Sequence, residues 1–183
     1  MPDVLVIGGG VAGSSAARVL ADLGYAVTIV ERSEIFRDRV RGEGIHPWGM
    51  NEAESLGIAD LIDRAGGYRM PEWWSYDQQH VVRETQWADY TVDGACETSV
   101  FHPTLQQLLL DEAAHAGVTV LRGWSLTSVT RDVGGFAVTV ANRTASHQIS
   151  APYLIAADGR GSNIARQFGI QRFHDPVNHA LIG

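Results

Sequence analysis

The sequence predicts an α/β fold with a parallel central sheet. A short apolar run rich in β-branched residues, Val4–Ile7, is typical of a strand that is buried on both faces of a sheet. Apolar residues then recur at helical spacing over residues 11–23, and Gly24 is placed to end this helix. A second buried strand is predicted at residues 26–30, which completes a βαβ unit whose two strands run parallel.

The turn between the first strand and the helix carries three glycines in the pattern Gly-x-Gly-x-x-Gly. Gly8 permits a tight turn, Gly10 leaves room for a pyrophosphate to approach the backbone, and Gly13 lets the helix pack closely on the strand. The N–H groups at the helix start, which include those of Val11 and Ala12, favour an anion there. The pattern therefore predicts a dinucleotide site; the alternative is an α/β turn with chance glycines.

Glu31 ends the second strand, 18 residues after Gly13. Sites of this kind place a carboxylate at about this distance, where it binds the ribose hydroxyls. An acid disfavours a 2′-phosphate, so NADP is not expected in this pocket, although Arg32 beside it weakens that argument. The βαβ unit alone does not distinguish NAD from FAD.

Composition limits the class of protein and its partners. A chain of 183 residues suits one domain with a fair-sized core, and a net charge of −7 argues against nucleic acid as a partner. The single cysteine, Cys96, excludes an internal disulfide and suits a reducing compartment. The first strand leaves no room for a signal peptide, and no apolar run is long enough to span a membrane, so we expect a cytoplasmic protein.

All 14 basic residues are arginines, which suggests a bacterial genome rich in G and C. No lysine amine is available for a mechanism in this region. Residues 31–49 are polar, end in glycines and a proline, and are predicted to form a loop with arginines at positions 32, 37, 39 and 41. One interpretation is a solvated charged loop; the other is a clamp whose arginines bind a pyrophosphate in bidentate fashion.

Three motifs follow one another here: Gly8-x-Gly10-x-x-Gly13, then Glu31-Arg32, then Arg39-x-x-Gly42-Glu43-Gly44-Ile45-x-Pro47. In this order they resemble the first half of FAD-dependent monooxygenases of the p-hydroxybenzoate hydroxylase type, a family of hydroxylases and epoxidases. The third motif is especially similar to that of squalene epoxidases.

The resemblance implies a Rossmann-like FAD/NAD(P)-binding fold with a parallel central sheet, a three-stranded β-meander and an inserted antiparallel sheet on the substrate side. It implies that Glu31, with Arg32 beside it, binds at the adenosine ribose and that Arg39 or Arg41 contacts the FAD. It also implies that residues 42–47 run beside the flavin ring.

Residues 47–66 are predicted to be helical, with a break at Gly57 and an end at Gly66-Gly67. An aromatic-rich stretch follows over residues 68–101, with strands predicted at 81–82 and 97–101. One interpretation is an antiparallel sheet with one buried face; the other is that some rings line an apolar substrate pocket. By the resemblance, this stretch starts the substrate-side sheet, so both interpretations stay open.

Residues 103–116 give the clearest helix, with Pro103 in its first turn and Gly117 at its end. His102, just before it, stands where many relatives have an arginine or glutamine that contacts the cofactor; the alternative is a structural cap. Short strands are predicted over residues 118–149, with a hairpin turn at Gly134-Gly135. The resemblance makes three of them a meander in which Val129 offers backbone contacts to adenine.

A last buried strand at residues 153–157 leads into Asp158-Gly159 and a short helix that Ser162 is suited to cap. This arrangement places Asp158 at the carboxyl-terminal edge of the parallel sheet, where such folds bind ligands. The run Ala-Ala-Asp-Gly-x-x-Ser resembles the family's Asp-Gly motif, which is associated with FAD and NAD(P)H. The alternative is an Asx-turn with no ligand.

We therefore expect residues 1–183 to be the FAD-binding domain, cut short relative to the family, with residues 68–101 as the start of the inserted sheet. The expected function is an FAD-dependent monooxygenase that uses NAD(P)H and oxygen on a small apolar or aromatic substrate. A halogenase-like enzyme, a geranylgeranyl-reductase-like enzyme and a non-catalytic nucleotide-binding module are the alternatives. Halogenases of this type use a lysine that the chain lacks. No catalytic residue and no metal ligand is predicted.

Overall fold

A computed structural model describes residues 1–38 and 44–171. The predictions for Arg39, Arg41, Gly42 and Glu43 fall outside the described residues. The helices are α1 Val11–Asp22, α2 Pro47–Ser55, α3 Ala59–Arg64, α4 His102–His115 and α5 Asn163–Gln167. The strands are β1 Val4–Ile7, β2 Val27–Glu31, β3 Gly44–Ile45, β4 Tyr68–Met70, β5 Glu72–Asp77, β6 His80–Gln86, β7 Glu97–Ser99, β8 Thr119–Arg122, β9 Ser125–Asp132, β10 Gly135–Ala141, β11 Ser146–Ala151 and β12 Tyr153–Ala156.

The central sheet is parallel, as predicted, with the order β12-β1-β2-β8. Side chains of β1 alternate between its two faces. Val4 and Val6 pack with α1 and α4 on one face, whereas Leu5 and Ile7 pack with the β9–β11 strands on the other. Both faces are thus buried, which explains why β1 has no polar residue.

The helices follow the predicted boundaries with small shifts. A positive φ of 64° at Gly57 separates α2 from α3, so the predicted break is confirmed. Helix α4 begins one residue earlier than predicted, because Phe101 is its N-cap and His102 is its first residue. His102 therefore belongs to the helix rather than preceding it. No helix in the described part of the chain is long and apolar enough to cross a membrane.

The predicted three-stranded meander is present, with the antiparallel order β11-β10-β9. Gly135 ends the β9–β10 turn with a φ of 128°, and a Cβ there would lie 2.4 Å from the carbonyl oxygen of Ala151. The hairpin therefore requires glycine at this position, as its sequence indicates.

The aromatic-rich stretch differs from the expectation of one sheet with one buried face. It forms a small antiparallel sheet, β3-β7-β4, and a separate hairpin, β5-β6. Trp73, Trp74 and Tyr76 on the hairpin are exposed, and Thr85 is its one buried residue. No residue of the hairpin belongs to the core clusters of the described residues. None of these three rings lines the cavity of about 530 Å³ at the glycine turn or the apolar groove of about 620 Å³ between α1 and α2.

Candidate dinucleotide-binding site

A cavity of about 530 Å³ lies at the carboxyl-terminal edge of the parallel sheet. Its walls come from the ends of β1 and β2, the β2 loop (residues 32–38), the first turns of α4, the start of β9 and the turn after β12. Folds of this class bind ligands at this edge. Seven of the predicted site residues line the cavity: Gly8, Gly10, Glu31, Arg32, His102, Asp158 and Gly159.

The three motif glycines have different roles. A Cβ at Gly13 would lie 1.9 Å from the carbonyl oxygen of Gly8, so the helix could not pack against the turn. Gly8 has a φ of +106°, and a Cβ there would lie 2.2 Å from the carbonyl oxygen of Ala157. A Cβ at Gly10 would meet only the side-chain nitrogen of Gln106, at 3.5 Å. Gly8 and Gly13 are thus required by packing, whereas Gly10 leaves open space on the cavity wall.

The start of α1 presents backbone hydrogen-bond donors. Gly10 is its N-cap and makes no side-chain cap hydrogen bond. The N–H groups of the first turn, to which Val11 and Ala12 belong, have no acceptor within the helix. The side chains of these two residues line an apolar groove of about 620 Å³, not the cavity. Their contribution to the cavity is therefore limited to the backbone.

Glu31 is 7% exposed, and both of its carboxylate oxygens accept hydrogen bonds from the backbone. Oε2 accepts from the N–H of Gly9 and Oε1 from the N–H of Ser33, each at 2.7 Å. These bonds join the glycine turn to the β2 loop. A carboxylate has about four acceptor positions, so Glu31 retains capacity for ribose hydroxyls on its cavity side.

Two arginines of the β2 loop, Arg32 and Arg37, line the cavity and are exposed. The resemblance favours Arg39 and Arg41 over Arg37, and both of those lie outside the described residues. Arg37 is therefore a cavity residue that the sequence-based interpretation left aside. Residues 32–38 form no helix or strand, so no sequence periodicity indicates that Arg37 lies on the same side of the loop as Arg32.

His102 and Gln106 enter the cavity from the first turns of α4. They are four residues apart, so they lie on the same face of the helix. Burial lowers the pKa of His102, which favours the neutral imidazole. Gln106 was not predicted; its i+4 relation to His102 was the signal that would have found it.

The Asp158 carboxylate has one oxygen that is used locally and one that is not. Oδ2 accepts from the N–H groups of Asn163 and Ile164, at 2.7 and 3.3 Å. Oδ1 is buried and has no hydrogen-bond partner among the described residues. The Oδ2 bonds reach residues five and six positions ahead, at the start of α5, and are not the bond to the second following residue that an Asx-turn makes. A buried acceptor without a donor is costly, and a ligand hydroxyl would satisfy it. Ser162 caps α5 as predicted, accepting from the N–H of Ala165 at 3.0 Å.

Two other predicted residues lie away from the cavity. The N–H of Val129 donates to Oε1 of Gln167 at 3.1 Å, and its side chain is part of the core. Strand β9 instead reaches the cavity through Ser125 and Leu126, three or four residues earlier. Gly44 is on β3, where it pairs with Ser99. The adenine contact of Val129 and the flavin contact of Gly44 stay predictions.

The chemistry of the cavity walls fits a dinucleotide. It combines a side-chain-free turn, helix N–H donors, two arginines and two carboxylates with acceptor capacity. Anionic phosphates suit the first three features, and hydroxyl groups suit the carboxylates. No group of three or more His, Cys, Asp or Glu side chains within residues 1–38 and 44–171 could hold a metal ion.

The family model of the FAD binding domain matches residues 1–180. The chain belongs to this FAD-binding domain family. It is 29% identical over 170 residues to a menaquinone reductase of Mycolicibacterium smegmatis, covering 91% of this chain and 40% of that protein. It is 26% identical over 166 residues to a squalene monooxygenase of Panax ginseng, covering 90% of this chain and 31% of that protein.

Among solved structures, this FAD-binding domain is similar to an aklavinone-11 hydroxylase determined in a ternary complex with FAD and aklavinone. The TM-score is 0.78 and the identity 25%, over 94% of this chain and 36% of the hydroxylase. The chain thus spans two-fifths or less of the length of all three proteins. The family membership and the parallel Rossmann-like fold confirm what the sequence motifs predicted.

Proposed function

We propose that this FAD-binding domain belongs to an FAD-dependent monooxygenase that acts with reduced flavin and oxygen on a small apolar or aromatic substrate. NAD(P)H is the proposed reductant. The observation that carries the proposal is the cavity, because it collects the glycine turn, the strand-end acid, the arginines and the Asp-Gly turn at one sheet edge. The similarity to a squalene monooxygenase and to an aklavinone-11 hydroxylase supports the reaction type.

The proposed contacts follow the charge of each wall. The glycine turn and the start of α1 hold the pyrophosphate, helped by Arg32 and Arg37, with Arg39 and Arg41 proposed from the resemblance. Glu31 binds the adenosine ribose. The unsatisfied Oδ1 of Asp158 accepts from a hydroxyl of the cofactor.

FAD, if bound, would supply the redox chemistry that couples oxidation of the nicotinamide to reduction of oxygen. The residues of this chain bind and orient it. Neutral His102 and Gln106 each offer the cofactor a hydrogen-bond donor and an acceptor without adding charge to the site. No residue is assigned a proton-transfer step.

The test begins with the visible spectrum of the purified protein after incubation with FAD and removal of excess cofactor. Bound flavin, bleached by NADH or NADPH without air and restored by oxygen, is the expected result. Incorporation of isotopically labelled oxygen into an aromatic or isoprenoid substrate then identifies the monooxygenase. A colourless protein that fails to retain FAD overturns the proposal, with Gly10→Val as the negative control for specific binding.

A reductase is the second candidate, because the menaquinone reductase matches 91% of this chain. A reductase passes its electrons to a quinone or isoprenoid without oxygen, so product formation under anaerobic conditions distinguishes the two.

We also propose that residues 68–101 begin the substrate-side part of the protein. The bacterial origin and the cytoplasmic location are proposals that rest on the arginine-only basic composition and the single cysteine.

A further inference from the structure

We propose that Arg122 is a positioning residue for this site: its guanidinium holds the β2 loop in the place where that loop forms a cavity wall. The inference rests in part on the proposed FAD site, because the loop supplies Arg32, Ser33, Phe36 and Arg37 to the cavity. Arg122 itself does not line the cavity. It acts through the loop.

The guanidinium makes three contacts with two separate walls. Its Nε donates to the carbonyl oxygen of Ser33 at 3.0 Å, and its centre lies 4.4 Å from the ring centroid of Phe36. Its Nη1 donates to Oε1 of Gln107 on α4 at 2.7 Å. Arg122 is the last residue of β8 and is paired in register with Glu31, so it reaches the loop where the loop begins.

The contact with α4 has a fixed orientation. The side-chain nitrogen of Gln107 donates to Oδ1 of Asp111 at 2.7 Å, which turns the amide oxygen toward Arg122. Gln107 directly follows Gln106, which lines the cavity. Arg122 therefore links the loop wall to the helix wall. Asp111 is connected to the guanidinium only through the side-chain amide of Gln107.

The cost of this arrangement indicates that the guanidinium has a specific use. Arg122 is half-buried and takes part in no ion pair within the described residues, and its Nη2 is buried there without a hydrogen-bond partner. A half-buried cation whose Nη2 has no acceptor is unfavourable, so packing alone would favour an apolar side chain. The planar fork, however, donates in two directions and stacks on a ring at the same time, which lysine cannot do.

The first experiment measures the loop directly and needs no cofactor. Limited digestion with trypsin, followed by mass spectrometry, gives the rates of cleavage after Arg32 and Arg37, both exposed. For Arg122→Met and Arg122→Lys we expect these rates to rise about ten-fold, since the loss of a charged hydrogen bond raises local opening by about that factor. Phe36→Leu, which leaves Arg122 in place, is expected to change the rates in the same direction.

Arg131→Gln is the matched control, because that guanidinium also lies over a ring, 5.6 Å from Phe136, but on β9 away from the loop. It should leave the loop cleavage rates unchanged. Unchanged cleavage after Arg32 and Arg37 in folded Arg122→Met overturns the proposal. If Arg122→Met fails to fold, Phe36→Leu and Arg122→Lys decide by the same criterion.

The second experiment separates positioning from a general contribution to stability. Calorimetric titration with ADP, which carries the adenosine diphosphate half of FAD, should show about ten-fold weaker binding for both Arg122 variants. If Arg122 only stabilises the fold, its variants should have a lower melting temperature and wild-type ADP affinity. If any positive charge is enough, Arg122→Lys should restore the ADP affinity. Either result overturns the proposal. A wild-type protein that binds neither ADP nor FAD refutes the proposed function, and the cleavage rates then still decide the role of Arg122.

Discussion

Replacing Glu31 by glutamine is expected to affect both the stability of the protein and its affinity for FAD. The carboxylate accepts from the N–H of Gly9 and from the N–H of Ser33, each at 2.7 Å. An amide offers one oxygen and one NH₂ group, so one of the two backbone N–H groups would face a donor. The glycine turn or the start of the β2 loop therefore loses its acceptor, whichever way the amide is oriented.

The magnitude follows from the number of bonds lost. One hydrogen bond to a charged group contributes about 1.5–3 kcal/mol to the free energy of unfolding. For a chain of this size each kcal/mol lowers the melting temperature by about 2–4 °C, so Glu31→Gln should melt about 3–12 °C below wild type. A charged bond lost to the ribose should weaken FAD binding by about ten- to hundred-fold.

The assays are thermal unfolding without cofactor and fluorescence titration with FAD. Glu34→Gln is the control, since it removes the same charge from the same loop at an exposed position. A Glu31→Gln protein with the wild-type melting temperature and FAD affinity refutes both roles. A lower melting temperature with unchanged FAD affinity would limit Glu31 to holding the turn.

Three further predictions follow from the site geometry. Gly10→Val should abolish FAD binding in a protein with a wild-type circular dichroism spectrum, whereas Gly13→Ala should unfold, because its Cβ meets a carbonyl oxygen at 1.9 Å. Among Arg→Ala variants titrated with FAD at one salt concentration, Arg39→Ala should lose the most FAD affinity if the motif is aligned correctly with the family. If Arg37, which lines the cavity, is the main phosphate contact, Arg37→Ala should lose the most. Small, equal losses of affinity would indicate a solvated loop. Burial lowers the pKa of His102, so the unfolded state binds its proton first and stability should fall as pH drops below about 6.5. His102→Gln should reduce that fall in melting temperature, and an identical pH profile would contradict the assignment.

The βαβ unit and the Asp-Gly turn could be predicted because their signals are local. Val4–Ile7 is buried on both faces, and an uninterrupted apolar run is the direct consequence of that environment. Gly13 is required by its backbone contact with Gly8, five residues earlier in the same turn. These constraints act over a few residues, so they are visible in the sequence itself.

The rest of the cavity depends on how distant segments are aligned. Leu126 and Val129 pack with the same core cluster, because a β-bulge at Thr139/Val140 shifts the register of β9 against β10 between them, and of the two only Leu126 also reaches the cavity. One shift of a strand by a single residue exchanges its faces, so a motif-based assignment is least secure there. Arg122 was missed for the same reason, because its contacts with Ser33 and Gln107 join residues far apart in the chain.

The Gly8 and Asp158 turns form one unit. The N–H of Ala157 donates to the carbonyl oxygen of Ile7 at 2.8 Å, and this bond continues the pairing of β12 with β1 into the turn. It brings the carbonyl oxygen of Ala157 to within 2.2 Å of where a Gly8 side chain would begin. Glycine at position 8 therefore serves the approach of the Asp158 turn as much as its own positive φ. Any residue with a Cβ would push the two turns apart and move Asp158 away from the glycine turn, so the two motifs depend on each other although about 150 residues separate them.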